Sequence, residues 1–398
     1  MAESGRVTGY DVAVVGGGNL GLWTAYSLAR QGGQRVVVLE RGWAGWGATS
    51  RSAGMIRQQG GTATAIVLGR RSRELYLQIG GEIGLDSGFV ETGYFVVATT
   101  AEEAASYRRH MALHAAYGLA TEWIDPADGP GRFPGFAWER FAGATYCATD
   151  GYVHPPLVAR NITLAAIRAG VEIREHTEVL GIEPGGAGFR LETVRGTVEA
   201  ERVVDAGGPR GARHLAEMVG VTLPVSATRH QVISYATLAE GQETPFPMVF
   251  VVGDGYYIRP EEQGAVVGVS NPAERADTSG RYQMGFDWAF HEQMRPVWEG
   301  AFPVLAEQPI SRAWAASIDY TPDHLPVIDE APGVAGCYLL TAGGHGMMCG
   351  PGLGEAMAEL IITGTVEELP ADEIRLARFA EGATRPPKDQ IALPFPEE

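Results

Sequence analysis

The chain has 398 residues, 45% hydrophobic and 20% charged, which is ample apolar material for a large core and by length suggests about two domains. Its formal net charge of -17 is spread along the sequence, so its surface repels phosphate backbones and anionic lipid, and neither nucleic acid nor membrane is an expected partner. The polar N-terminus lacks a secretory pattern, no apolar run approaches the ~18 residues of a membrane helix, and the three cysteines form no CxxC pair; the chain reads as a reduced, cytoplasmic protein with no metal site.

In chain order, the short β-branched run Asp11 to Val15 suits a buried parallel strand. Three glycines follow, then a helical face marked by Leu20, Leu22, Ala25, Leu28 and Ala29, then a second apolar run at Val36 to Leu39. This strand–helix–strand unit implies a parallel sheet. Helical periodicity returns from Thr62 to Ile83, a strand is predicted over Gly88 to Thr99, a helix over Ala101 to Leu119 and a loop over Asp125 to Gly135. A helix from Pro156 to Ala169 precedes strands at Val171 to Arg174, Val179 to Ile182, Phe189 to Val194 and Thr197 to Ala206, the middle ones forming a hairpin around a glycine turn. Strands and turns dominate from Pro224 to Gly268, and a last strand, Cys337 to Ala342, leads through glycines into a helix over Gly354 to Ile362. Nucleotide-binding pieces lie at both ends and in the middle. We therefore expect an α/β fold in which a Rossmann-type dinucleotide-binding domain (1–85, 145–220, 320–398), assigned to FAD below, is interleaved with an antiparallel-sheet α+β substrate domain (86–144, 221–319).

Gly16-Gly17-Gly18-Asn19-Leu20-Gly21 satisfies GxGxxG at a strand-to-helix junction. Gly16 makes the tight turn, Gly18 lets backbone approach a pyrophosphate, and Gly21 lets the helix sit close to the sheet, while the helix N-terminus attracts negative charge. Glu40 closes the second strand about 20 residues on, where an acid accepts ribose hydroxyls, with Arg41 beside it. The alternative is a purely structural glycine turn. This motif does not separate NAD from FAD, but the later strand ending in VVDAGG, with Gly207, suits a sheet completed over FAD better than a second βαβ half would.

Over nearly its whole length the sequence resembles the D-amino acid oxidase superfamily of FAD proteins, which includes glycine oxidase, sarcosine oxidase and related dehydrogenases. The resemblance rests on VAVVGGGNLG, VVLERGWAGWGATSRSAGMIR, DGYVHPP, VVDAGGP, YYIRPEEQG, DYTPDHLPVID and AGGHGMMCGPGLGEAMAELI, and GATSRSAGMIR with RHQV points to the sarcosine oxidase and dimethylglycine or proline dehydrogenase branch. It implies that Gly47 to Met55 passes the flavin and pyrophosphate, with Thr49, Ser50, Arg51, Gly54 and Met55 as contacts, and that Val179 lies near the adenine. It further implies that Gly344 to Gly350, including Gly346, Met347 and Met348, wraps the pyrimidine end of the isoalloxazine. The helix that follows then stabilises negative charge on the reduced flavin by ~0.3–1 kcal/mol.

For the substrate, the resemblance places a carboxylate-binding arginine at Arg57, with a surface ion pair as the plain alternative. Its usual lysine partner is replaced by Met347-Met348, so Met348 is expected at an apolar wall, though methionine also serves as filler. His345 is expected in the flavin-facing turn, and Tyr256, Tyr257 and Arg259 along a cavity-lining strand on which only one tyrosine faces the flavin. His230 and Gln231 are second-domain candidates, with a satisfied core histidine as the alternative. The family's tethering cysteine falls near Ala316; Cys349 and His154 are weak substitutes, so non-covalent FAD is expected. A lysine that assists oxygen in oxidases of this branch corresponds to Val266. The expected activity is oxidation of a C–N bond in a small amine or amino acid, glycine-like or N-substituted. Hydride passes to flavin N5, the imine hydrolyses, and electrons go to O2 with H2O2 release. The alternatives are a dehydrogenase serving a partner protein or quinone, a flavin-binding subunit of a heteromeric dehydrogenase, or an NAD enzyme.

Overall fold

The computed structural model describes residues 9–186, 188–238, 246–271, 285–384 and 391. Part of the predicted strand-and-turn region, residues 239–245, lies outside them. The first sheet is built on the opening apolar run. Tyr10–Val15 lies between Val36–Leu39 and Gly196–Asp205, parallel to both, with Val14 opposite Val38 on one side and Val204 on the other. Continuous β-branched sequence suits this position because the strand is covered on both faces, and Val12, Ala13 and Val14 are fully buried. Cys337–Thr341 runs parallel to the second half of Gly196–Asp205, while the hairpin Val179–Gly185 and Gly188–Thr193 pairs antiparallel to its first half. With Glu172–Arg174 and Val327–Glu330 this makes an eight-stranded sheet among the described residues. Val15, Leu39 and Asp205 therefore end at one edge, where a parallel sheet opens its ligand crevice.

The helix Asn19–Gly32 packs against the helix Gly350–Thr363. Their close approach accounts for the glycines at the start of the second helix: a Cβ at Gly354 would lie 2.5 Å from Trp23 Cβ, and one at Gly350 2.2 Å from Asn19 Nδ2. That helix begins at Gly350, earlier than the predicted Gly354, because Pro351 sits in its first turn, where a missing N–H costs nothing.

A second eight-stranded sheet runs in the order Ile310–Tyr320, Ser226–Tyr235, Gly264–Ser270, Tyr256–Glu261, Met248–Val251, Tyr94–Ala98, Gly143–Cys147, Glu122–Ile124. The expected boundaries at 145 and 320 cut its Gly143–Cys147 and Ile310–Tyr320 strands, each of which belongs whole to this sheet. One face packs Tyr256 and Ile258 into an aromatic core with Trp298 and Phe302; the other carries Tyr94, Phe250 and Tyr257. The single strand expected over Gly88 to Thr99 is two strands, Phe89–Glu91 and Tyr94–Ala98, in different sheets. Gly93 separates them with φ +75°, a left-handed turn that side chains resist.

Candidate active site

A cavity of about 500 Å³ runs from the carboxyl edge of the first sheet to the second sheet. At its nucleotide end Gly16 (φ +113°) turns so tightly that a Cβ would lie 2.3 Å from the Ala206 carbonyl oxygen. Gly21 does not line the cavity: its missing side chain lets the helix rest on the Gly16 carbonyl, which a Cβ would meet at 1.9 Å. Gly16, Gly18, Asn19 and Leu20 line the wall beneath the helix N-terminus, whose first turn carries no acid to neutralise its dipole. Glu40 is held by two backbone donors, Gly17 N to Oε2 (2.8 Å) and Gly42 N to Oε1 (2.7 Å), and Arg41, Val179 and Gly207 line the same end.

Asn19 joins the two ends of the cavity. Its backbone N–H donates to Thr49 Oγ1 (2.9 Å), and its amide donates to Tyr76 OH (2.8 Å) and to the Gly346 carbonyl (2.9 Å). Thr49, Arg51 and Met55 line the middle, with the Arg51 guanidinium 4.1 Å above the Trp46 ring. Two residues expected there do not. Ser50 is a correction: its hydroxyl donates to the Gly45 carbonyl (2.6 Å), closing a local turn. Gly54 is another; its φ is +79° and a Cβ would lie 2.1 Å from the Val153 carbonyl oxygen, so it is glycine for chain packing.

At the far end Gly344, His345, Gly346, Met347 and Met348 form one wall, leading into the Gly350–Thr363 helix, again with no acid in its first turn. Opposite stand Arg57, His230 and Tyr257, together with Tyr94, Phe250 and Ile391, which sequence reasoning did not single out. Arg57 is 4% exposed: Nη2 donates to the Ile391 carbonyl, its guanidinium sits 5.5 Å over the Phe250 ring, and Nη1 is buried without a partner among the described residues. Burial presses its pKa down, while Tyr94 and Asp150 act the other way. Asp150 is fully buried behind it and accepts from Gln58 N (2.9 Å), Gln58 Nε2 (2.9 Å) and Gln59 Nε2 (3.0 Å). Burial still pushes its carboxyl up to about 6. Asp150 opens the DGYVHPP stretch, so a signal for it existed; for Ile391, in a short apolar run between proline-rich segments with no helical or strand period, there was none.

His230 bridges Ser270 Oγ through Nδ1 and Tyr257 OH through Nε2, both at 2.6 Å. Burial brings it down to about 4, so it stays neutral, with one nitrogen donating and the other accepting. Burial raises Tyr257 well above its ordinary value, and it keeps its proton. His345 is pushed down to about 3, by burial first and then by Arg57 and His324.

Arg259 is a correction. It lies outside the cavity, 2% exposed, donating to the Ala53 and Pro260 carbonyls and lying 4.8 Å over the Tyr152 ring, so it braces the 52–55 loop from behind. Tyr256 faces the aromatic core, Gln231 accepts from Asp287 N (2.6 Å), and Val266 is buried in the cluster under Tyr257; none of the three lines the cavity. Cys349 precedes the Gly350–Thr363 helix and is buried, His154 precedes the Pro155–Arg168 helix, and Ala316 lines the cavity.

A glycine-walled crevice under one helix N-terminus, joined through Asn19 to a second glycine turn before another helix, fits an extended anionic dinucleotide with its ring system at the far end. The FAD dependent oxidoreductase (DAO) family matches residues 11–360. The chain belongs to that family. Glycine oxidase of Geobacillus kaustophilus is 32% identical over 367 residues, covering 88% of this chain and 93% of that one. Mouse sarcosine dehydrogenase is 28% identical over 90% of this chain, which spans only 40% of that longer protein. The crystal structure of L-proline dehydrogenase from P. horikoshii superposes with a TM-score of 0.85 at 26% identity, covering 94% of this chain and 99% of that one. The protein is an FAD-dependent amine or amino acid oxidoreductase of the glycine and sarcosine oxidase type. Among the described residues no helix is long and apolar enough to cross a membrane.

Proposed function

We propose that the chain oxidises the C–N bond of a small amino acid, glycine-like or N-substituted, whose carboxylate is gripped by Arg57. Bound FAD supplies the two-electron acceptor for a C–H bond next to the substrate nitrogen. The carrying observation is the buried guanidinium in the cavity wall with Nη1 unpartnered, a strong demand for an anionic oxygen. Tyr257 then orients the substrate: when His230 donates to its oxygen, the phenolic proton points into the cavity. Met347 and Met348 supply an apolar wall for the remainder of the substrate. A desolvated pocket holding a fixed cation favours the neutral amine, the form that gives up hydride. The imine product hydrolyses to a carbonyl compound and a shortened amine, and electrons pass to O2 with release of H2O2.

A second reading, a dehydrogenase passing electrons to a partner protein, is favoured by one observation. The sequence contains a single lysine, Lys388, outside the described residues, so none of the described cavity residues is a lysine of the kind that assists oxygen in this branch.

The test is the visible spectrum of the purified protein, followed anaerobically while sarcosine, glycine, D-alanine, L-proline and larger N-alkyl glycines are added. Bleaching of the yellow colour by one of them is expected. Recolouring in air with stoichiometric H2O2 supports the oxidase, and persistent bleaching until an artificial acceptor is added supports the dehydrogenase. No bleaching by any amino acid would remove the proposal. Because His230 and His345 stay neutral above about pH 5, the rate of bleaching should rise with pH through one ionisation, that of the bound amine. A flat profile counts against this mechanism. Neither candidate tether, Cys349 or His154, lines the cavity, and Ala316 stands where the branch carries its tethering cysteine, so FAD is expected to be released by acid precipitation; a yellow pellet would show a covalent link.

A further inference from the structure

Beyond the Gly350–Thr363 helix three side-chain contacts among the described residues fasten the chain to the body. Glu373 accepts from the Thr64 hydroxyl (2.6 Å), Asp329 accepts from Leu376 N (2.7 Å), and Arg378 pairs with Asp323. Further along the sequence, Ile391 is 3% exposed. Ile391 packs in the apolar cluster that holds Tyr94, Phe250 and Tyr257, and its carbonyl accepts from Arg57 Nη2. One half of the guanidinium fork is thus filled by the chain itself and the other half, Nη1, has no partner among the described residues.

We propose that Ile391 is an internal competitor for the substrate carboxylate, and that substrate seats fully on Arg57 only by displacing it. The inference rests on Arg57 being the carboxylate site. A carboxylate offers two oxygens to the planar fork, and seating on the Nη1–Nη2 edge brings one of them to the nitrogen that the Ile391 carbonyl already holds, so the two compete for Nη2. A charged oxygen pair exchanges favourably for one neutral carbonyl, but the exchange also withdraws the Ile391 side chain from the pocket wall. Apparent affinity for any carboxylate is then reduced by the fraction of molecules in which Ile391 is seated. The space Ile391 gives up lies beside Tyr94 and Phe250, so displacement also widens the pocket for larger substrates.

Two variants separate this from general damage: a chain ended after Gln390, which removes the carbonyl and keeps the three anchors, and Ile391→Gly, which keeps the carbonyl but loosens its seat. Acetate and benzoate are titrated into each holoenzyme by calorimetry and by the change in the flavin spectrum. The expected result is binding about tenfold tighter in the truncated chain and a smaller gain in the same direction for Ile391→Gly. Unchanged or weaker binding of both carboxylates in both variants overturns the proposal. Arg57→Gln is measured alongside: if it binds acetate as the unaltered protein does, the carboxylate site itself is elsewhere. If it loses binding while the tail variants change nothing, only the role of Ile391 fails.

Discussion

Arg57→Gln is expected to raise KM for an amino-acid substrate roughly 30- to 1,000-fold, the equivalent of about 2–4 kcal/mol, with a much smaller change in kcat. The reasoning is local. The carboxylate bears no part of the developing charge at the C–H bond, so its grip is the same in the ground state and the transition state, and losing it appears in KM. Glutamine retains one amide donor and loses the positive charge and the second arm of the fork. Lysine should not rescue, because a point charge on a flexible stem cannot reproduce a planar fork held over the Phe250 ring. Stability should not fall with activity, since the buried cation that burial disfavours is removed. Asp150 faces the same change from behind, and with Arg57 gone its ionised form loses a favourable neighbour. Steady-state kinetics on an amino acid and on the matching amine without a carboxylate check the claim. Equal KM values for Arg57→Gln and the unaltered protein on the amino acid would place the carboxylate elsewhere.

The second large effect concerns stability. Arg378→Ala is expected to cost about 3–5 kcal/mol and to lower the melting temperature of the holoprotein by about 4–6 °C. Arg378 Nε and Nη2 donate to the two oxygens of Asp323 at 2.8 and 3.0 Å, and the side chains are 1% and 0% exposed. Removing the cation leaves the carboxylate buried with one donor among the described residues, Leu325 N at 3.2 Å. The pair stands beside the glycine turn at Gly343: a Cβ at Gly343 would lie 2.6 Å from the Leu325 backbone, so the two turns are in direct contact. Removing both charges with Arg378→Met and Asp323→Leu should recover most of the loss, because well-packed apolar groups often replace a buried pair without penalty. A melting temperature within about 2 °C of the unaltered protein for Arg378→Ala would mean that water reaches Asp323.

Much of this molecule is legible in local sequence, for a physical reason. Backbone hydrogen bonding admits few geometries, and side-chain periods of 3.6 and 2.0 report which face is buried. The parallel core strands, the Asn19 helix, the glycine turn and Glu40 are therefore readable within 30 residues of chain, as is the rule that only one of Tyr256 and Tyr257 can face the cavity; the structure shows that it is Tyr257. The family motifs added the glycine turn from Gly344, which lines the cavity. Where reasoning stayed local but the cause was tertiary, it went astray. Ser50 and Gly54 sit among cavity residues in sequence yet face a turn and a neighbouring strand, and Arg259 lies two residues from Tyr257 but ends behind the 52–55 loop. A pocket is assembled from segments hundreds of residues apart, and no periodicity encodes which of their side chains meet. Sequence alone determined the sheet, the cofactor crevice and the chemical class. Only the tertiary structure decided that Arg57 meets Ile391 across 334 positions, that Ser270 holds His230 against Tyr257, and that Asp150 lies buried behind the arginine. Each of these contacts depends on burial, and burial is a property of the assembled fold.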